Sequence, residues 1–265
     1  AGLAYAKGLY YKYTGELQKS LKCLNRARFD SFYGQQALLL MIQIYLNPNE
    51  DNMKAAESLI KELAMKEYDT TILECYGMLH THRKEYLTKA MKTLQDLLNA
   101  NAEYPPAIVC LANCKIYIKK QSEANNLLEK MNAMNYLPEY ADEFESCWLM
   151  LAENYVSNSK QNEAEKLLEK CLLFNKSCVK AEELMGVIRE KQGNFLHAAD
   201  HYQAAWKMSS MRNASVGFRL AFNYLKCKKY VRAIDICKEV LKNYPDHPTI
   251  KKDILDKAQK NIRSA

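Results

Sequence analysis

Glycine and proline are both scarce in this sequence, which has 8 glycines and 6 prolines among 265 residues. It contains no glycine-rich phosphate loop, dinucleotide-binding fingerprint or Gly-x-Ser-x-Gly elbow, so the signatures of the common nucleotide-dependent enzymes and hydrolases are missing. The short alternating segments rich in β-branched residues that mark strands are missing too. We therefore predict an all-α protein that is not an enzyme.

The few prolines fall where helices should end, because a proline inside a helix costs about 3 kcal/mol. They separate segments of otherwise helical pattern at Pro48, Pro105, Pro106, Pro138, Pro245 and Pro248. Each position therefore predicts a junction between helices.

Long apolar runs are also lacking. The longest uncharged one, residues 37–46, is well short of the roughly 20 residues that cross a bilayer. We predict no membrane span and no signal peptide. Because Ala1 already stands in the phase of a first helix, we expect this chain to be the C-terminal part of a longer repeat protein.

The 9 cysteines are odd in number and scattered, which indicates a reducing compartment rather than a disulfide framework. Cys110 and Cys114 have a spacing that could begin a metal site, but a second pair with matching spacing is missing. His197 and His201 share that spacing without the glutamate of a zinc-protease helix. We predict neither a metal nor another cofactor.

Charges of both signs are interleaved along the chain, with 38 basic and 31 acidic residues. This mixture is typical of the exposed faces of repeat proteins and argues against nucleic-acid binding. One turn is more basic than the rest and is a candidate site for an acidic protein segment, formed by Lys226, Lys228, Lys229 and Arg232.

What the sequence does contain is a repeated spacing of small and large residues. Small residues recur in pairs twelve positions apart: Gly8 with Ser20, Ala112 with Ala124, Ala152 with Ala164, Gly186 with Ala198, and Ala221 with Ala233. Large or aromatic residues accompany them, among them Trp148, Tyr155, Tyr202 and Tyr224, and two turns carry a glycine, Gly15 and Gly193. This is the spacing of the tetratricopeptide repeat, in which small residues let two antiparallel helices touch and large ones fill the gaps.

The repeats predict a tetratricopeptide α-solenoid, a right-handed superhelix of about seven helical hairpins in one continuous domain, residues 1–265. Two of the hairpins, residues 37–68 and 71–102, follow the pattern less closely and have longer turns. Residues 247–265 have no partner hairpin and many charges, so we predict a capping helix with one face in water.

Several segments go beyond the generic repeat pattern. The longest are residues 217–226 (GFRLAFNYLK), 233–237 (AIDIC) and 252–258 (KDILDKA), and shorter ones are residues 8–10, 13–16, 46–48, 143–145, 148–149 and 204–207. Together they resemble the C-terminal end of the tetratricopeptide repeat domain twenty-one family, the large tetratricopeptide subunit of intraflagellar transport complex A. The resemblance spans nearly the whole chain.

The resemblance implies a non-catalytic scaffold subunit of the ciliary transport train. Its partners would be the other subunits of complex A and, indirectly, dynein and ciliary membrane cargo. It would act in retrograde transport and in the traffic of membrane proteins, and would be found in the axoneme and basal body of the cilium or flagellum and in the cytoplasm.

In repeats of this type the concave face carries the residues three before and one after the first small residue. Here these are Tyr5, Leu9, Val109, Asn113, Leu149, Glu153, Glu183, Val187, Phe218 and Phe222. Co-chaperones of the same fold hold a carboxylate with Lys and Asn at such places, and only Asn113 matches, which argues against that class. A groove with Tyr5, Val109, Leu149, Phe218 and Phe222 favours an apolar segment or helix, although packing against adjacent helices is the alternative for each side chain.

Two other functions stay open at this point. A generic tetratricopeptide adaptor of another multiprotein assembly would share the architecture but not the C-terminal segment quoted above. A regulatory module of an enzyme would need a catalytic partner elsewhere in the parent chain.

Overall fold

The structure is a computed structural model that describes residues 1–46, 53–65, 70–81 and 83–263. Within these ranges there is no β-strand, and the predicted all-α fold is confirmed. Pro48 and the end of the weak second repeat, residues 66–69, lie outside the described residues. The α-helices of the described part are Gly2–Tyr13 (α1), Leu17–Ala27 (α2), Gly34–Tyr45 (α3), Met53–Ala64 (α4), Thr71–His80 (α5), Lys84–Ala100 (α6), Pro105–Tyr117 (α7), Gln121–Asn132 (α8), Ala141–Ser157 (α9), Gln161–Phe174 (α10), Val179–Lys191 (α11), Phe195–Met208 (α12), Ala214–Lys226 (α13), Tyr230–Asn243 (α14) and Asp256–Arg263 (α15).

The chain divides into two compact units, residues 1–144 and 145–265, and the boundary falls within the residues of α9. In the first unit, α1 to α8 form consecutive hairpins whose helices pack on each other and on the next hairpin. In the second unit, α10 packs on α11, and α11 to α14 form two hairpins. That all of residues 1–265 form one continuous domain stays a prediction.

The last helical segment begins slightly later than expected from Pro248. A π-helical turn, Lys251–Leu255, leads directly into α15. One side of the segment is buried in the core of the second unit through Ile250, Ile254 and Ala258. Its charged side chains in the described part are exposed, so the segment presents one apolar and one polar face.

The first hairpin explains why a small residue is needed where two helices touch. A Cβ atom added at Gly8 would lie 2.5 Å from Cδ2 of Leu24, too close for two carbon atoms. The hydroxyl of Ser20 donates a hydrogen bond of 2.7 Å to the carbonyl oxygen of Gly8. Gly8, Ser20 and Leu24 are all buried, so the contact combines tight packing with a satisfied polar group.

The same type of contact recurs in the second unit. A Cβ atom at Gly186 would lie 2.8 Å from Cε1 of Tyr202, and one at Gly217 would lie 2.4 Å from Cγ2 of Val240. Gly217 is not among the small residues that the twelve-residue spacing identifies. It provides a second close approach on α13, one turn before Ala221.

The remaining small residues at predicted packing positions are buried: Ala112, Ala124, Ala152, Ala164, Ala198, Ala221 and Ala233. Among the aromatic ones, Trp148, Tyr202 and Tyr224 are also buried. Tyr155 differs, because it is only half-buried and Lys160 Nζ lies 5.7 Å from its ring centroid.

Five hairpin turns share one backbone geometry. In each, the first helix is followed by a residue in the left-handed region, with φ of 77° at Gly15, 62° at Lys119, 61° at Ser159, 75° at Gly193 and 58° at Lys228. The next residue's N–H donates to a carbonyl five residues earlier, as Glu16 does to Tyr11, which is the Schellman ending of a helix. Left-handed backbone costs a residue with a side chain about 1–2 kcal/mol, so only the two glycines adopt it without strain.

A reciprocal pair of substitutions tests this difference between turns. We expect Ser159→Gly to raise the free energy of unfolding by about 1 kcal/mol, and Gly193→Ser to lower it by about the same amount. An added Cβ atom at Gly193 would meet nothing within 4 Å, so backbone conformation alone would cause the loss. Urea unfolding of the wild type and both variants measures the change.

Gly193→Asn is the matched control for that experiment. Asparagine tolerates left-handed backbone better than serine, so this variant should lose less stability than Gly193→Ser. Equal stability of wild type and both reciprocal variants would contradict the proposed strain.

Candidate partner-binding surfaces

An open cleft in the second unit contains two of the predicted partner-binding residues. Phe218 and Phe222 lie one helical turn apart on α13. Both side chains are half-buried and pack in part against the core of this unit. With Glu190, Ser215 and Arg219 they line a cleft of about 380 Å³. One part of each ring therefore packs on the core and another part is accessible, and partner binding at these rings stays a prediction.

The aromatic rings of this cleft are fixed by their neighbours. The ring of Phe218 stacks on His247, with centroids 5.7 Å apart and planes inclined by 9°. Lys226 Nζ lies 5.2 Å from the ring centroid of Phe222, within the range of a cation–π contact. The cleft thus presents two aromatic rings beside polar side chains, with a cation near one edge.

A hydrogen-bond network centred on Glu190 neutralises the side of the cleft next to the phenylalanines. Its Oε2 accepts from the Tyr202 hydroxyl at 2.9 Å and from Asn223 Nδ2 at 3.3 Å, and lies 3.5 Å from Arg219 Nη1. Burial and the Glu190 carboxylate raise the pKa of Tyr202 above its ordinary value. The charge of Arg219 is therefore balanced within the protein.

The predicted groove residues of the first unit are arranged differently. Tyr5 is half-buried and stacks on Tyr33, with ring centroids 5.2 Å apart, and Leu9 on the same helix is half-buried. Asn113 is half-buried on α7. The prediction is wrong for Val109, which is only 3% exposed because α7 is covered on every side along residues 105–112.

Leu149, the remaining predicted groove residue, lies on α9 in the second unit and is half-buried. Its neighbour Trp148 is 1% exposed and stacks on Phe174, with centroids 5.4 Å apart. Two adjacent positions thus point one large side chain into the core and another to the surface.

The predicted basic turn lies between α13 and α14. Lys226, Lys228 and Arg232 are exposed and Lys229 is half-buried. Arg232 lies over the Tyr224 ring, 5.9 Å from its centroid. In the part of the chain that the structure describes, none of these four cations forms an ion pair with a carboxylate.

The cysteine and histidine pairs considered from sequence have ordinary partners. Cys110 and Cys114 are buried, and a hydrogen bond between their thiols, together with burial, raises the pKa of Cys110 well above its usual range. His201 Nδ1 lies 2.7 Å from a Glu182 carboxylate oxygen, and His197 Nδ1 lies 2.6 Å from Nδ2 of Asn194.

A different group of potential ligands was missed by sequence reasoning. The sulfur atoms of Cys171 and Cys178 and a carboxylate oxygen of Glu145 all lie within 4.8 Å of one another. The sequence signal that could have indicated this cluster is the short separation of Cys171 and Cys178 across the junction between α10 and α11. Cys171 is also a packing residue of the second unit, since its side chain is buried.

Within the described ranges, every helix is too short or too polar to span a bilayer. The helical fold itself has solved counterparts. The crystal structure of YrrB, a tetratricopeptide repeat protein with an unusual peptide-binding site, superimposes with a TM-score of 0.50. The match covers 77% of this chain and 97% of YrrB at 16% identity, which demonstrates similarity of fold alone.

The sequence comparisons are more specific. Human tetratricopeptide repeat protein 21B is 38% identical, and human tetratricopeptide repeat protein 21A 34% identical, each over 99% of this chain. The chain spans 22% of the length of these relatives. Residues 55–259 match the Tetratricopeptide repeat protein 21 C-terminal ARM domain, and residues 1–46 match the TT21 fifth ARM repeats domain. The chain therefore belongs to the tetratricopeptide repeat protein 21 family.

Proposed function

We propose that this chain is a non-catalytic scaffold segment of intraflagellar transport complex A. It binds neighbouring subunits or cargo during retrograde transport and the traffic of ciliary membrane proteins, in the cilium and in the cytoplasm. Membership of the tetratricopeptide repeat protein 21 family, across 99% of the chain, is the observation that carries this proposal. Because the chain spans 22% of its relatives, the partners of the whole protein are part of the proposal as well.

The cleft on α13 supports binding as the mechanism. Half-exposed aromatic side chains in a concave surface are common anchoring points at protein interfaces. Here Phe218 and Phe222 supply the apolar contact, while Lys226 adds a positive charge at the edge. A partner segment with apolar anchors and an acidic flank, in an extended or helical form, matches this combination.

Deleting this segment from its parent protein provides the direct test. The full-length parent, tagged and purified from ciliated cells, should recover the other subunits of complex A, and the parent without residues 1–265 of this chain should not. Mass spectrometry of the recovered proteins measures the difference. Unchanged recovery of the complex would exclude a docking role, and a complete absence of ciliary subunits from both samples would exclude the assignment to complex A.

The aromatic cleft gives a sharper prediction. Phe218→Ala with Phe222→Ala should reduce recovery of the partner at least tenfold, because two anchors worth about 1 kcal/mol or more each are lost. Co-precipitation from the full-length parent measures recovery, and thermal unfolding of the purified chain tests the fold. The matched control is Phe29→Ala with Phe32→Ala, which removes two rings that are 77% and 74% exposed.

Partner recovery with that control should equal the wild-type value. If Phe218→Ala with Phe222→Ala instead unfolds at physiological temperature, the two phenylalanines are core residues and the cleft is not the binding site.

The basic turn gives an independent prediction. Lys228→Glu with Lys229→Glu should weaken binding of an acidic partner, and wild-type binding should decline as ionic strength rises. The structurally equivalent turn before α8 offers a matched control, Lys119→Glu with Lys120→Glu, where Lys120 already pairs with Glu123 at 2.8 Å. Pull-down at low and high salt measures both the loss of binding in each variant and the salt dependence of wild-type binding. Equal losses from the two variants, or salt-independent binding, would contradict a specific role for this turn.

A further inference from the structure

Three side chains capable of binding a metal ion meet near the junction of α10 and α11. Cys171 lies close to the end of α10, Cys178 is the N-cap residue of α11, and Glu145 lies on α9. Their ligand atoms lie within 4.8 Å of one another, and no other group of three potential ligands in the described part of the chain comes as close. This cluster is separate from the cleft and from the basic turn.

The turn between the two cysteines is held by hydrogen bonds of Asn175. Its Oδ1 accepts from the backbone N–H of Ser177 at 3.0 Å, and its backbone N–H donates to the carbonyl oxygen of Cys171 at 2.8 Å. Its Nδ2 donates to Oε2 of Glu145 at 2.7 Å. One side chain thus fixes both the turn that carries the thiols and the orientation of the carboxylate.

The same contact leaves the other carboxylate oxygen facing the thiols. Oε1 of Glu145 lies 3.5 Å from Sγ of Cys178. Cys171 is 1% and Cys178 5% exposed, whereas Glu145 is half-buried and opens the cluster towards solvent on its side. Within the described residues, no basic side chain forms an ion pair with Glu145, whose carboxylate is held by Asn175 instead.

We propose that Glu145, Cys171 and Cys178 bind a zinc ion. Two thiolates favour zinc over calcium or magnesium, which prefer oxygen ligands, and a carboxylate is an established third zinc ligand. Three protein ligands leave a fourth position for water on the open side. Binding releases the thiol protons to solvent and involves no oxidation or reduction.

Asn175 acts as a positioning residue for this site. Groups that orient metal ligands through hydrogen bonds contribute about 10- to 100-fold to metal affinity. The site would join three successive helices through one ion, since its ligands come from α9, α10 and the start of α11.

The purified chain, prepared under reducing conditions and dialysed, should contain one zinc ion by elemental mass spectrometry. X-ray absorption should detect two sulfur ligands at about 2.3 Å together with nitrogen or oxygen ligands at about 2.0 Å. Cys171→Ser with Cys178→Ser should remove the ion. The matched control is Cys110→Ser with Cys114→Ser, a second buried and hydrogen-bonded thiol pair, which should keep it.

Two further variants separate ligand loss from misfolding. Asn175→Ala should weaken zinc binding by about 10- to 100-fold without changing the metal content at saturation. Glu145→Gln should also bind more weakly, because the anionic ligand is gone. Added zinc should raise the melting temperature of the metal-depleted wild type and of the control pair, and leave Cys171→Ser with Cys178→Ser unchanged.

Two results would overturn the proposal. They are a wild-type chain without stoichiometric zinc and equal zinc content in the two cysteine-pair variants. Unchanged affinity in Glu145→Gln would refute the three-ligand site.

Discussion

Close contact between the helices of a hairpin is the constraint on which the rest of this structure depends. At Gly8, Gly186 and Gly217 the space for even one Cβ atom is already filled by a side chain of the neighbouring helix. On α13, Gly217 and Ala221 lie four residues apart and face that contact, so Phe218 and Phe222, each one residue later, are rotated by about 100° from it. The helix contact therefore also determines where the aromatic cleft opens.

The same constraint explains how far sequence reasoning could go. A small residue paired with a large one leaves a local and repeated signal, which is why the buried alanines and the all-α repeat fold could be predicted. Exposure is not encoded in that signal. Val109 occupies a groove position by spacing, but α7 is apolar nearly all round and is covered on every side there, so this side chain is buried.

The cysteine cluster was beyond sequence reasoning for a different reason. Cys171 and Cys178 approach each other only because the intervening turn folds back around Asn175, and Glu145 reaches them from a helix earlier in the chain. The sequence shows that the two cysteines are close along the chain. It shows neither the conformation of the turn between them nor that Glu145 is the third residue of the cluster. Sites built from several elements depend on tertiary packing, so only the structure could assemble this one.

The first turn of the second helix differs in charge between equivalent hairpins. After the left-handed residue, the first turn of α8 contains Glu123 and that of α10 contains Glu163, whereas the corresponding position is Lys19 in α2, His197 in α12 and Arg232 in α14. Acidic residues stabilise the start of a helix and offset nearby lysines, while an arginine there adds to the positive end of the helix dipole. The strain of Lys228 and the absence of an acidic residue from this first turn both reduce local stability. An acidic partner segment would offset the accumulated positive charge, which supports binding at this turn independently of the aromatic cleft.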